Sequence, residues 1–467
     1  MADVKKELNS NVELVLGDYK TAVKKLALPL MMSMFLMMAY NLADSIWVSG
    51  LGSDALAAIG FITPLFMIII GLGNGIGAGT NSLIARYIGS KCYDQANNTA
   101  LHGLFLTVVI SVVGAIFMYI ALPSILIWMG AAHDLEFSLE YGYIIFTFMI
   151  VFLFNHVCTA ILRSEGDVKR AMYATATTAI INIILDPIMI YVLGFGIRGA
   201  AYATVISASL SCIILSYWIL YKKDTYLNVT LRNFKYKRSI IKRILNVTIP
   251  ASTENLISSI LMISINLILT ISAGTTAVAT YTATMRLIQL GGIPLIGFST
   301  ALLTIIGAAY GACNVQKIKD AYRYTIKLGL ITTTIMVVVF LIFAPDISMI
   351  FAYGESSNIA PQIASAIRIL VFLIYSVALG NISAMLYQGL GRGTTSLTLT
   401  IIRALICEII LAYLFAIVMH MGEFGVYLGL VIGGIIGGFI SVTWAMVSIR
   451  RLIRDYRPDP MIVDEIK

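Results

Sequence analysis

Charged residues are scarce in this chain of 467 amino acids. Asp, Glu, Lys and Arg make up 12% of it, whereas roughly 25% is usual in soluble domains. Hydrophobic residues make up 59%, and the mean hydropathy is +0.90. This composition excludes an ordinary water-soluble domain and predicts an integral membrane protein.

Cysteine and histidine are also few, and neither is spaced for a metal site or a disulfide framework. The five cysteines show no CxxC spacing, and the four histidines are dispersed. We therefore expect free thiols and no metal-dependent membrane enzyme, and we interpret His156 as a packing residue. The protein is predicted not to be an enzyme.

Nucleotide-binding motifs are missing as well. Glycines alternate from Gly71 to Gly79, but no strand precedes this run and no Lys-Ser/Thr pair follows it. We expect these small residues to let helices pack closely. Because the sequence has no Walker motif, we exclude an ATP-driven pump within this chain. We expect no cofactor and an energy supply from an H+ or Na+ gradient.

Long apolar runs are what the sequence does contain. A membrane-spanning helix needs about 20 mainly apolar residues, and twelve segments meet this requirement. The predicted fold class is all-α, a polytopic integral membrane protein with twelve transmembrane helices in two six-helix lobes. The predicted spans are 22–48, 55–88, 97–121, 138–161, 169–193, 198–221, 241–270, 276–308, 320–343, 362–388, 395–419 and 425–448.

The basic residues are unevenly distributed between the predicted loops. With the N-terminus inside, 28 of the 32 lysines and arginines fall in cytoplasmic segments, which is the positive-inside pattern. It predicts a multi-pass protein of the cell membrane with both termini cytoplasmic. It also explains the net charge of +8 without a nucleic-acid partner. No cleavage site follows the first apolar run, so we expect no removable signal peptide.

The two halves of the chain resemble each other. Pro29 near the start of span 1 recurs as Pro250 in span 7, and Gly196 before span 6 recurs as Gly422 before span 12. Six spans per half give both repeats the same orientation, so we expect substrate at their interface. The predicted organisation is an N-lobe (1–221), a basic cytoplasmic linker (222–243), a C-lobe (244–449) and a cytoplasmic tail (450–467).

Ionisable groups inside a membrane span are costly and therefore point to function. At about 1.5 Å per residue, Asp44 in span 1, Asp186 in span 5 and Thr204 in span 6 fall at similar depths in the outer part of the N-lobe. Asn182 precedes Asp186 by four residues and shares its helix face, as Tyr40 does with Asp44. We predict that these polar groups meet.

The residue types at this depth suit a small cation. Pro187 has no N–H, which leaves the Ile183 carbonyl without its helical donor. Two carboxylates with neutral oxygens around them suit a hard cation such as Na+, and the same pair could instead share a proton. Two simpler interpretations stay open: Asp44 as an interfacial acid near a helix end, and Asp186 as a structural hydrogen-bond hub.

Three segments carry a family resemblance. They are the run from Leu28-Pro29 to Asp44 with the following Ala55-Leu56-Ala57-Ala58, the run from Asn182 to Pro187, and the run from Gly199 to Thr204. Together they resemble prokaryotic transporters of the multidrug and toxic compound extrusion (MATE) family, especially its DinF-like branch, over essentially the whole chain. The resemblance implies alternating access and export of organic cations or amphipathic drugs by antiport with H+ or Na+.

The resemblance also implies roles for individual residues. It implies an N-lobe cation-coupling site, with neighbours, made of Asp44, Asn182, Asp186, Thr204, Tyr40 and Asn155. By depth alone, Asn155 in span 4 fits this site less well. The second half departs from the pattern, because Asn266 takes the place of Asp44 and Leu411 that of Asp186. We therefore predict coupling chemistry that differs between the lobes.

The C-lobe offers a few polar candidates of its own. Glu254 resembles the seventh-helix acid of the NorM-like and eukaryotic branches, but span 10 supplies no acid to partner it. Glu254, Asn266 and Arg286 are candidate substrate contacts, although Glu254 could also be a buried acid satisfied by nearby hydroxyls. Arg403 and Glu408 are five residues apart, about 140° around an α-helix, so they do not form a simple i,i+4 pair. We interpret Arg403 as an arginine that snorkels inward.

The function predicted from these observations is secondary active multidrug efflux. A lipid-linked oligosaccharide flippase of the same superfold is the alternative, and a channel or membrane enzyme is a third. A flippase should line its cavity with several cations for pyrophosphate, whereas only Arg286 and Arg403 lie deep in the predicted spans. The expected partners are small amphipathic or cationic substrates and the lipid bilayer. We expect a monomer.

Overall fold

The computed structural model describes residues 10–131, 135–222, 225–230, 232, 234–349 and 360–454. These residues are mostly helical, and no β-strand occurs among them. The all-α fold class predicted from composition is confirmed.

A short helix over residues 10–16 precedes seven longer helices in the first half of the chain. These are α1 (Tyr19–Ser49), α2 (Ser53–Gly89), α3 (Tyr93–Trp128), α4 (Leu135–Thr147), α5 (Met149–Ser164), α6 (Val168–Pro187) and α7 (Gly196–Ser216). Two of them continue directly into π-helices, α6 into Ile188–Val192 and α7 into Tyr217–Lys222.

The second half repeats this order of helices. It contains α8 (Arg238–Ala273), α9 (Thr275–Gly311), α10 (Val315–Ile342), α11 (Ala344–Met349), α12 (Ala360–Leu370), α13 (Leu373–Gly389), α14 (Gly393–Ile401), α15 (Ile410–Tyr413) and α16 (Gly422–Arg454). Two π-helices, Ile402–Ile409 and Leu414–Val418, flank α15.

The helices are long and apolar enough to span a bilayer. Ten candidate spans pass by length and composition among the described residues, and two bent helix pairs raise the number to twelve. The bent pairs are α4 with α5 and α12 with α13, each bent by 46°. The protein is thus a multi-pass membrane protein, and the predicted number of twelve spans is reached when each bent pair counts as one span.

The internal repeat is visible in the turns between helices. Lys91 and Cys313 both have the left-handed backbone conformation, with φ of 61° and 58°, which is uncommon outside glycine. Gly196 and Gly422 have φ of 55° and 59°. Corresponding connections in the two halves thus have the same left-handed backbone geometry, as the duplication predicted from the sequence leads us to expect.

The chain divides into two compact units by its internal contacts. Among the described residues, the first unit comprises 10–17 and 32–252, and the second comprises 18–31 and 253–454. The start of α1 therefore belongs to the second unit and its remainder to the first. The start of α8 likewise belongs to the first unit, so each of these two helices contributes to both.

The alternating glycines of α2 pack against two other helices of the first unit. A Cβ on Gly73 would lie 2.9 Å from His156 Cδ2 on α5, and one on Gly75 would lie 2.7 Å from the Thr248 carbonyl oxygen on α8. The next two glycines of the run face the same two helices. The packing interpretation of the run is confirmed, and the His156 side chain packs against Gly73.

The segment between α7 and α8 is attached to α3 by two side chains. Asn98 donates from Nδ2 to the Lys235 carbonyl at 2.8 Å and accepts from the Lys235 N–H at 3.2 Å. His102 Nε2 accepts from the Lys237 N–H at 2.9 Å, while its Nδ1 faces the Asn98 carbonyl at 2.8 Å. This pattern requires a neutral imidazole with its proton on Nδ1.

Candidate cation site

Asp44 lies near the C-terminal end of α1, in the part of that helix that belongs to the first unit. The Tyr191 hydroxyl donates to the Trp47 carbonyl oxygen at 2.5 Å. The rings of these two residues also pack edge to face, with centroids 6.5 Å apart. This contact joins the end of α1 that carries Asp44 to the π-helix that follows Asp186.

Asn182 and Asp186 lie one turn apart on α6, and both are fully buried. Asn182 Nδ2 is 3.2 Å from Asp186 Oδ1 and 3.4 Å from Thr204 Oγ1 on α7. The Thr204 hydroxyl donates to the Ala200 carbonyl at 3.0 Å, so its oxygen is oriented as an acceptor toward Asn182. The amide thus holds the acid and the hydroxyl in one cluster.

Asp44 reaches the same cluster from α1. Its carboxyl group lies within hydrogen-bonding range of the Asp186 carboxyl group. Asp44 Oδ1, Asp186 Oδ2 and Asn182 Oδ1 are buried and accept no hydrogen bond from the described part of the chain. Buried polar atoms usually have a partner, so three orphaned acceptors side by side mark a place where a proton or a cation can be held.

Pro187 makes the backbone beside this cluster irregular. It is the last residue of α6, and the π-helix begins immediately after it. The Ile188 N–H donates to the Leu185 carbonyl, three residues back, instead of following the α-helical i→i−4 pattern. Proline itself supplies no N–H. The Ile183 carbonyl as a ligand stays a prediction.

Two tyrosines face the acid pair, and only one of them was predicted. Tyr40 lies within electrostatic range of both aspartates. Tyr141 on α4 is 9% exposed and lies within electrostatic range of Asp44, Asp186 and Tyr40. The sequence around Tyr141 is rich in aromatic residues and does not distinguish this tyrosine from its neighbours. Its position near the aspartates is visible only in the folded structure.

Asn155 hydrogen-bonds the backbone of α7. Its Nδ2 donates to the Ala208 carbonyl on α7 at 3.4 Å. Its depth in the sequence had already suggested a poor fit to the acid pair. The role implied for it by the family resemblance stays a prediction.

The polar candidates of the second half lie in a different arrangement. Gln388 Nε2 on α13 donates to Glu254 Oε2 at 3.2 Å, and the Ser396 hydroxyl also hydrogen-bonds this carboxylate. Asn266 Oδ1 is buried and accepts no hydrogen bond within the described chain. Arg286 is exposed. The hydrogen-bond partners of Glu254 are neutral, but Arg403 lies within electrostatic range of it. Glu254 Oε1 is buried and accepts no hydrogen bond within the described chain. Asp44, in contrast, faces a second acid.

The interpretation of Arg403 as a snorkelling arginine is wrong, because Arg403 forms an ion pair with Glu408. Arg403 Nη1 lies 3.3 Å from Glu408 Oε1, and Ser376 Oγ lies 3.4 Å from each of these two atoms. Both charged residues are in the π-helix Ile402–Ile409. A π-helix bonds residues five apart, so it brings onto one face two side chains that an α-helix would separate.

The acid pair differs in composition from a transition-metal site. Across the described ranges, no group of three or more His, Cys, Asp and Glu side chains is placed to hold a metal ion. Two carboxylates, an amide oxygen and a hydroxyl are instead oxygen donors of the kind that bind hard cations. Chemically, the cluster can bind a monovalent cation reversibly or exchange a proton.

Up to twelve apolar spans, an internal duplication and a buried acid pair are features of a secondary membrane transporter. The MatE family model matches residues 29–188 and 250–414, which is one match in each half. The chain therefore belongs to the MatE family of multidrug (MATE) transporters, and it is not an enzyme.

Two relatives and one solved structure that are similar to this chain are transporters. The chain is 30% identical to a FAD transporter of Shewanella oneidensis over 70% of this chain and 73% of the relative. It is 26% identical to the multidrug export protein MepA of Staphylococcus haemolyticus, over 90% and 92% of the two chains. A MATE multidrug resistance transporter solved in an outward-facing conformation matches with a TM-score of 0.93 and 40% identity, covering 95% of this chain and 99% of that one.

Proposed function

We propose that this protein is a secondary active exporter that couples the entry of H+ or Na+ to the efflux of amphipathic or cationic small molecules by alternating access. The acid pair Asp44 and Asp186, with Asn182 and Thr204, is the coupling site. The single observation that carries this proposal is the set of three buried, orphaned oxygens on these residues.

Electrostatics explains how such a site couples ion and conformation. Two carboxylates that face each other away from water repel unless a proton or cation lies between them. An ion that enters from outside satisfies both, and its departure restores the repulsion. Binding and release can therefore shift a two-state equilibrium, in proportion to the difference in affinity between the two states.

The names of two relatives support the proposed substrate class. The Staphylococcus haemolyticus relative is a multidrug export protein, which supports efflux of varied amphipaths. The Shewanella oneidensis relative is a FAD transporter, so a flavin dinucleotide is the second substrate class to test. We also propose that the protein belongs to the DinF-like branch and that it is a monomer.

The positive-inside distribution of basic residues supports an orientation in the cell membrane with both termini cytoplasmic. A six-helix N-lobe and a six-helix C-lobe, joined by the basic linker, complete this proposed arrangement. Single cysteines placed before residue 10 and after residue 455 of a cysteine-free chain should react with an impermeant maleimide only after the cytoplasmic face is opened. Labelling of either terminus in intact cells would contradict the orientation.

The deciding experiment is transport in proteoliposomes with the Na+ and pH gradients imposed separately. Ethidium and FAD should be compared as substrates in the same vesicles. We expect one gradient to drive uptake into inverted vesicles and the substrate to evoke a return flux of the same ion. Substrate movement that ignores both gradients would contradict antiport.

A further inference from the structure

An open cavity of about 600 Å³ lies in the second unit, between the first two turns of α1 and residues 320–331 of α10. Four of its lining residues are basic, Lys20 and Lys24 from α1 and Arg323 and Lys327 from α10, and Asp320 is the single acid among them. The cavity is distant in the chain from the acid pair and takes no part in the coupling mechanism above.

The basic residues are spaced so that they reinforce one another. Lys20 and Lys24 are four apart on α1, and Arg323 and Lys327 are four apart on α10. Like charges at this spacing share a helix face and destabilise the helix. Two such pairs that line one cavity therefore create a strongly positive site, which an anion would stabilise.

Aromatic rings form part of the cavity wall. Tyr19 and Tyr324 both line the cavity, and their rings pack edge to face with centroids 5.9 Å apart. The Lys20 Nζ lies 6.0 Å from the centroid of the Tyr19 ring. Tyrosine is favoured where apolar and polar surroundings meet, because its ring is apolar and its hydroxyl is polar.

An apolar track leads away from the basic residues along α10. Ile331 lines the cavity, and Ile335, Val338 and Ile342 continue from it on one helix face, each between 47% and 64% exposed. The distance from Ile331 to Ile342 is roughly 16 Å at the helical rise, which is about half of the hydrocarbon thickness of a bilayer. On α1, Leu28 lies one turn beyond Lys24 and is 64% exposed.

We propose that this cavity is a binding site for an anionic phospholipid. The phosphate of the headgroup is held by the four basic residues, and the acyl chains follow the exposed apolar track of α10. A free phosphate ion would satisfy the basic residues but would leave the apolar track without a role. The adjoining track is why the lipid is the favoured occupant.

Lipid bound here would join the start of α1 to α10. Because the same α1 helix carries Asp44 at its other end, the bound lipid would hold the near end of the helix while the far end responds to the coupling ion. The site thus offers a way for membrane composition to influence transport.

The test is lipid binding to the purified full-length protein by native mass spectrometry. The probes are short-chain phosphatidylglycerol, short-chain phosphatidylcholine and inorganic phosphate. The cavity variant is Lys24→Gln/Lys327→Gln. The matched control, Lys25→Gln/Lys319→Gln, removes the same charge from the same two helices at residues that do not line the cavity.

We expect phosphatidylglycerol to bind the wild-type protein more tightly than phosphatidylcholine does. A cation near an anionic lipid surface changes affinity about fivefold, so the cavity variant should bind phosphatidylglycerol roughly 25-fold more weakly, whereas the control should match the wild type. Increasing salt should weaken the wild-type binding, a result that does not depend on any variant.

Three outcomes would overturn the proposal. Equal binding of the two lipids would show that the site does not recognise the headgroup charge. Equal weakening in both variants would show that the attraction comes from the whole basic surface. Displacement of phosphatidylglycerol by inorganic phosphate at an equal concentration would identify a phosphate site in which the acyl chains contribute nothing.

Discussion

Arg403 and Glu408 form an ion pair within a single helix although they are five residues apart, with Arg403 Nη1 3.3 Å from Glu408 Oε1. Small residues of the neighbouring helices surround the pair. A Cβ on Gly380 would lie 2.9 Å from Arg403 Nε, and one on Gly434 would lie 3.1 Å from Glu408 Oε1. The two charges are thus enclosed closely and are held in one geometry.

Removing one partner of this pair should destabilise the protein strongly. In Glu408→Gln, the Arg403 guanidinium remains in a site where its side chain is only 16% exposed. Loss of one partner from a buried pair typically costs about 3–5 kcal/mol. We expect a clearly lower melting temperature in detergent for this variant.

The double variant Arg403→Met/Glu408→Leu is the matched control for that prediction. It removes both charges and keeps apolar volume, so much of the lost stability should return. If Glu408→Gln melted at the wild-type temperature, the ion pair would contribute nothing to stability.

The same pair shows where reasoning from the sequence stops. At 100° per residue, an α-helix places residues five apart on different faces. The residue types from Ile402 to Ile409 do not predict a π-helix. Tyr141 was missed for a related reason, since its position against the aspartates depends on how α4 packs. The spans and the repeat were predictable because hydropathy and duplicated motifs are local properties of the chain.

The meeting of Asp44 with Asp186 was predictable from depth, because a membrane fixes the height of each residue along its helix. Depth gives no information on rotation about the helix axis. In the structure, the hydrogen bonds from Asn182 to Asp186 and Thr204 show which face of α6 is turned toward α7. For Asn155, the family pattern and the depth estimate disagree, and its hydrogen bond to the Ala208 carbonyl leaves its role a prediction.

Neutralising either member of the acid pair should abolish coupled export. In Asp44→Asn and in Asp186→Asn, one carboxylate remains and the repulsion that an ion would relieve is gone. Each variant should fold and insert, because asparagine keeps the shape of the side chain. The measurement is gradient-driven efflux in proteoliposomes together with the melting temperature.

A control acid of the same unit should behave differently. Glu140 on α4 pairs with Arg198 at 2.5 Å, and the Arg198 side chain is 56% exposed. Exposed pairs contribute little to stability, so Glu140→Gln should transport as the wild type does. Wild-type transport by both aspartate variants would remove the acid pair from the mechanism.

The attachment of the linker should depend on pH through Glu165, which lies in the loop between α5 and α6. Its Oε2 accepts hydrogen bonds from the Tyr226 N–H at 2.6 Å and the Leu227 N–H at 3.3 Å. Burial raises the pKa of Glu165 from 4.5 to about 8, although these two hydrogen bonds act to lower it.

The sign of the pH effect follows from this raised pKa. Between pH 4.5 and 8 the folded state binds a proton that the unfolded chain releases, so the contribution of Glu165 to stability is complete below pH 4.5 and is lost as the pH rises toward 8. Hydrogen exchange at Tyr226 and Leu227, corrected for intrinsic exchange rates, should accelerate over this range. In Glu165→Gln the corrected rates should not vary with pH. An equal pH dependence in both proteins would assign the effect to other groups.

Ion binding at the acid pair and substrate binding should oppose each other. An ion that joins Asp44 to Asp186 favours the conformation in which both carboxylates are satisfied, and we expect α1 to bend or slide around Pro29 as this happens. A ligand shifts a conformational balance only through its differential affinity for the two states. If the ion disfavours the state that binds the drug, then raising its concentration must weaken drug binding.

Linkage makes this antagonism reciprocal, which gives two independent measurements of one quantity. If saturating Na+ or low pH weakens drug binding by some factor, saturating drug must weaken ion binding by the same factor. We expect equilibrium drug affinity in detergent to fall as the coupling ion is added, and this fall to be absent in Asp44→Asn, whereas Glu140→Gln retains it. Drug affinity that is independent of both pH and Na+, in protein shown to transport, would leave Asp44 and Asp186 as structural acids. The orphaned oxygens would then need an explanation other than ion coupling.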